Sequence, residues 1–131
     1  MAIPHRPICS DGQPAPSVFL VDDDSGFVET FGALLRVEGY SVAVALTAAD
    51  ARDHLASHTP DVLITDIRLG SQNGWKLAKD AIRRQPNLRV IVVTGCADHL
   101  DAEAEYWSLP VFLKPFNPDG LLAHLRETSA A

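Results

Sequence analysis

Val18-Phe19-Leu20-Val21-Asp22-Asp23-Asp24 decides how this chain folds. Four apolar residues in a row without polar alternation read as a short strand buried on both faces. The run ends in Asp22-Asp23-Asp24. The pattern returns three times: Val62-Leu63-Ile64-Thr65-Asp66, Val90-Ile91-Val92-Val93-Thr94 and Val111-Phe112-Leu113-Lys114. Each apolar run ends on a side chain capable of chemistry.

Between these runs the period changes from strand to helix. Ser25 to Glu38 places apolar residues at 27, 31, 34 and 35, the spacing of one buried helical face, and Gly39 ends it. Tyr40 to Ala45 reads as a further strand. Thr47 to Asp50 has the form of a helix start, with the helix running to about Ser57. Thr59-Pro60 breaks the chain, and a glycine-containing loop at 69–74 leads to a helix with Trp75, Ala78, Ala81 and Ile82 on one side. A shorter helix is expected at about 98–107, carrying Leu100, Ala104 and Trp107. Asn117-Pro118 reads as the cap and first residue of a last helix. Five strand–helix units in strict alternation imply a parallel α/β sheet with helices on both faces.

Composition sets the outer limits. With 131 residues, 47% hydrophobic and 21% charged, the chain has the profile of one soluble domain. Residues 1–16 hold four of the nine prolines and no periodic pattern, so they are expected to be a flexible extension ahead of a domain at 17–131. No apolar run is long enough for a membrane span, and the first residues lack the apolar centre of a secretory signal, so a cytoplasmic location is expected. Cys9 and Cys96 form no disulfide framework and no metal spacing. A formal net charge of −6, with Arg83-Arg84 an isolated basic pair, argues against direct nucleic-acid binding.

In parallel sheets of this kind the functional crevice lies at the carboxyl ends of the strands. That rule gathers Asp22, Asp23, Asp66, Thr94 and Lys114. Several carboxylates in one place repel, and a single lysine cannot neutralise them. A hard divalent cation can, and Mg²⁺ takes carboxylate oxygens while leaving positions for water and a phosphate. The set therefore predicts a Mg²⁺ site able to receive a phosphoryl group. Asp24 fits an ordinary turn or helix cap.

The segments FLVDDD, LITDIRLGSQNGWKLA, VIVVTG and VFLKPF, in this order, resemble the receiver domain of bacterial two-component response regulators. The resemblance spans residues 17–129 and implies a flavodoxin-like, doubly wound five-stranded sheet of order 2-1-3-4-5. It implies that Asp66 is the phosphoacceptor, and that Asp22, Asp23, Asp66 and the backbone carbonyl of Arg68 hold Mg²⁺. Thr94 and Lys114 would contact the phosphoryl oxygens, Lys114-Pro115 would be a cis bond, and Gly74 would let the loop turn into the third helix. The implied donor is a phosphohistidine on a histidine kinase or histidine phosphotransfer protein, or a small acyl phosphate. The implied output is a change of surface shape read by a downstream protein, from a regulatory domain that catalyses only its own phosphorylation and dephosphorylation. The chain departs from the pattern at Val111, where an aromatic switch residue is usual, and at Gly70, where proline is usual. Arg68 and Cys96 stand where residues tune the lifetime of the aspartyl phosphate. Phe112 and Trp107 are the aromatic side chains that could stand in for position 111, with core packing their alternative role. Two other classes compete. A haloacid-dehalogenase-like phosphatase would need an acid two residues past Asp66, and Arg68 cannot serve. A receiver-like interaction module that is never phosphorylated is the alternative, and the complete polar set argues against it.

Overall fold

The computed structural model describes residues 16–95 and 109–129. Strands β1 (Ser17–Val21), β2 (Ser41–Ala45), β3 (Val62–Asp66), β6 (Arg89–Thr94) and β7 (Val111–Leu113) form one sheet in the order β2-β1-β3-β6-β7. All four pairings are parallel. Counting only these strands, the order is the expected 2-1-3-4-5. The described helices are α1 (Ser25–Val37), α2 (Ala48–Ser57), α3 (Gly74–Arg84) and α4 (Pro118–Ser129). The expectations for the N-terminal extension and for a helix at 98–107 lie outside the described residues.

The runs in β1, β3 and β6 are continuously apolar because both sheet faces are covered there, whereas edge strand β7 leaves Leu113 46% exposed; the pleat sorts their residues by face. Val18, Leu20, Ile64, Ile91 and Val93 meet Val28, Phe31 and Leu35 of α1 and Leu121, Leu122 and Leu125 of α4. Phe19, Val21, Leu63, Val90 and Val92 meet Ala48 and Ala51 of α2 and Trp75, Ala78 and Ala81 of α3. Each large side chain fully buried in these layers contributes about 1.5–3 kcal/mol of apolar transfer.

Helix starts follow local chemistry. Asp24 accepts from Phe27 N at 3.1 Å, Thr47 from Asp50 N at 3.0 Å, and Asn73 from Trp75 N at 2.7 Å. Asn117 accepts from Asp119 N at 2.9 Å, as the Asn-Pro pair predicts. The region expected as a plain loop at 69–74 is more ordered than that. Strands β4 (Arg68–Leu69) and β5 (Gln72–Asn73) make a small antiparallel hairpin. Gly70 sits at its tip with φ +63°, as two-residue hairpin turns demand.

Candidate metal and acceptor site

Parallel pairing brings the carboxyl ends of β1, β3, β6 and β7 side by side. Val21 pairs with Thr65, so Asp22 and Asp66 follow abreast. Asp66 pairs with Val93, and Thr94 with Leu113, which sets Thr94 and Lys114 one step beyond on the next two strands. The Lys114 amide donates to the Thr94 carbonyl at 2.7 Å, and Lys114-Pro115 is cis.

The three carboxylates converge. Ligand oxygens of Asp22, Asp23 and Asp66 lie within 4.8 Å of one another. Asp22 is 0% exposed, Thr94 1% and Asp66 8%, whereas Asp23 is open to solvent. Lys114 Nζ bonds Asp22 Oδ2 at 2.5 Å and stands 3.5 Å from Asp66 Oδ2. It also lies 4.2 Å from the centre of the Phe27 ring, a cation–π contact that holds the ammonium over the crevice. The Asp24 amide donates to Asp22 Oδ1 at 2.9 Å and the Arg68 amide to Asp66 Oδ1 at 3.1 Å. Arg68 thus starts β4 with its backbone one hydrogen bond from the Asp66 carboxylate. Burial pushes the Asp22 carboxyl above the ordinary range; the bonds from Lys114 and the Asp24 amide pull it back, and the Asp66 charge adds to the rise.

The charges do not balance. Two carboxylates about 5 Å apart repel by on the order of 3 kcal/mol at an effective dielectric near 20. Among the described residues, three carboxylates converge beside one lysine ammonium, a formal excess of negative charge between these groups. Closely spaced, partly buried oxygens with surplus negative charge fit a small hard dication that keeps some of its water. Among the described residues the donor set has no sulfur or imidazole, so softer metals gain little there.

Gly74 shows why the chain can turn so sharply past Asp66. A Cβ at residue 74 would lie 1.9 Å from the Asp66 carbonyl oxygen, and its amide bonds the Ile67 carbonyl at 2.6 Å. Only glycine allows this approach. Sequence reading missed one contact altogether: the Gly70 amide donates to Asp23 Oδ2 at 3.0 Å, across 47 residues. No spacing rule links two such distant positions. On β7, Val111 packs with the α2/α3 layer, whereas Phe112 points to the other face, 5.8 Å from Phe116 and 6.1 Å from His124 by ring centres. Phe112 is therefore a packing residue on the face opposite Val111. Trp107 and Cys96 lie outside the described residues.

Comparison with known proteins agrees with this geometry. The response regulator receiver domain family matches residues 18–126. The alginate biosynthesis transcriptional regulatory protein AlgB of Pseudomonas putida is 36% identical over 110 residues, covering 79% of this chain and 24% of that protein. The DNA-binding transcriptional regulator NtrC of Escherichia coli K12 is 36% identical over 109 residues, covering 81% of this chain and 23% of NtrC. The chain thus spans about a quarter of the length of these relatives. Among solved structures, a CheY-like receiver domain protein of Methanospirillum hungatei superposes with a TM-score of 0.79 at 26% identity, covering 87% of this chain and 93% of that one. The response regulator TrrA of Thermotoga maritima, in complex with Mg²⁺-BeF, gives 0.77 at 23% identity, covering 86% and 97%.

Proposed function

Since the chain belongs to the response regulator receiver domain family, we propose that it takes a phosphoryl group onto Asp66 in a Mg²⁺-dependent step and signals through the change of surface that follows. The observation that carries this reading is the charge imbalance at the strand ends: three converging carboxylates served by one lysine. Asp22, Asp23, Asp66 and the Arg68 carbonyl would hold the cation. When bound, Mg²⁺ supplies charge neutralisation for the phosphoryl oxygens.

The remaining work falls to side chains of this chain. An Asp66 carboxylate oxygen forms the new P–O bond as the P–N bond of a phosphohistidine donor breaks, and the leaving imidazole takes up a proton. Lys114, already 3.5 Å from Asp66 Oδ2, neutralises one equatorial oxygen. Thr94, buried at the end of β6, offers its hydroxyl to another. The donor is a histidine kinase or histidine phosphotransfer protein. A groove of about 480 Å³ beside Lys114, lined by Phe27, Phe31, Leu34, Pro115 and Phe116, supports docking of a protein donor next to the acceptor. The expected setting is the cytoplasm; among the described residues no helix is long and apolar enough to cross a membrane. The output target is a protein, reached without direct nucleic-acid contact by this domain.

Incubation with acetyl phosphate tests the reading. Intact mass is expected to show one phosphoryl adduct that requires Mg²⁺ and is absent from Asp66→Ala. No adduct from protein shown separately to bind Mg²⁺ would overturn phosphoacceptance in favour of an unphosphorylated interaction module.

A further inference from the structure

Of the three carboxylates, Asp23 is held differently. Asp22 is buried and fixed by Lys114 and the Asp24 amide; Asp66 is buried and fixed by the Arg68 amide. Asp23 is exposed, and an exposed aspartate ordinarily samples several rotamers. Its Oδ2 instead accepts the Gly70 amide at 3.0 Å. We infer that the Gly70 amide is a positioning group for the cation site: the hairpin tip latches Asp23 and presets its carboxylate toward Asp22 and Asp66.

Two further observations support the latch. A Cβ on Gly70 would meet nothing within 4 Å, so space does not explain a glycine there. Its φ of +63° does: this backbone conformation, rare for other residues, belongs to the turn that aims the amide at Asp23. The strap carrying the amide is also fixed at both ends. Its start is tied by Arg68 N to Asp66 Oδ1 and its end by Gly74 N to the Ile67 carbonyl, with Asn73 capping α3. A carboxylate that accepts an amide on one oxygen keeps the other for a cation. Coupling of this kind is reciprocal, so cation binding tightens the hairpin as the hairpin improves cation binding.

The inference rests on the Mg²⁺ site proposed above, and the test separates the two. Mg²⁺ is titrated by calorimetry into wild type, Gly70→Asn and Gly70→Pro, with unfolding midpoints confirming that each is folded. Asparagine tolerates positive φ and keeps the amide; proline has neither property. Gly70→Asn is expected to bind Mg²⁺ within about threefold of wild type and Gly70→Pro about tenfold more weakly, the scale of one hydrogen bond to a charged group. A folded Gly70→Pro that binds as tightly as wild type would overturn the latch. The Gly70 amide itself gives a readout without Mg²⁺: slow hydrogen exchange in wild type, lost in Asp23→Ala, is expected. Rapid exchange in wild type would refute the latch even if Mg²⁺ binds. Failure of wild type to bind Mg²⁺, with Gly70 still protected, would refute the cation site and leave the latch standing as a structural bond.

Discussion

The two ends of the sheet use aspartate in opposite ways. At the amino end, Asp61 Oδ2 accepts from Ser17 N at 2.8 Å and Ser17 Oγ at 3.3 Å, while its own amide returns a bond to Ser17. One carboxylate meets a matching set of local donors and staples β3 to β1. At the carboxyl end, Asp22, Asp23 and Asp66 share one lysine and a few backbone amides. The residue type is the same, and so is its place at a strand boundary. The ratio of charge to nearby donors separates the two ends, and the roles proposed for the second set rest on that difference.

The sharpest challenge to this contrast is removal of the lysine at the carboxyl end. Lys114→Ala, assayed at saturating Mg²⁺, is expected to slow phosphorylation by acetyl phosphate by about 10²–10³-fold, the usual effect of losing one preset charged group. A rate within threefold of wild type would deny Lys114 its role. The matching change at the other end should leave the chemistry alone. Asp61→Ala is expected to lower stability by about 1 kcal/mol in urea unfolding, with the phosphorylation rate unchanged. A lost adduct in a folded Asp61→Ala protein would erase the distinction between the ends.

The smallest effect concerns pH. His54, also toward the amino end, stacks on His58 and packs at a 31° tilt against Phe19, with both ring-centre distances 4.2 Å. Burial, and then the neighbouring His58, lowers its pKa below the ordinary 6.5. Among the described residues, no carboxylate lines the groove it shares with Ser17, Ser41, His58 and Pro60. Its folded pKa lies below the unfolded one, so the unfolded chain takes the proton first. Its contribution to stability is therefore full above about pH 6.5 and falls as the pH drops through that value toward the lower folded pKa. Unfolding midpoints near pH 7.5 and 5.5 should differ less in His54→Gln than in wild type. An unchanged difference would remove His54 as the cause.

The sequence carried the frame because both sheet faces are buried. The runs at 18–21, 62–64 and 90–93 had to be apolar throughout, and the polar residue ending each was visible by contrast. Asp22, Asp23, Asp66, Thr94 and Lys114 were legible for that reason, and parallel pairing puts them together. The hairpin at 68–73 was not legible, since two-residue strands of mixed polarity have no period to detect. Leu77 was missed on α3 because its buried arc, which includes Trp75, Ala78 and Ala81, is wider than a single stripe. The Gly70–Asp23 bond depends on how a turn meets a strand end 47 residues away, which only folding determines. Phe112 was ambiguous until strand pleating assigned it to the face opposite Val111.

Locating the phosphoryl group tests the central claim most directly. Protein treated with acetyl phosphate and Mg²⁺ would be reduced with borohydride, digested and mapped by mass spectrometry. The account predicts a single modified residue, Asp66. Modification at Asp22 or Asp23 instead, or at no aspartate, would contradict it.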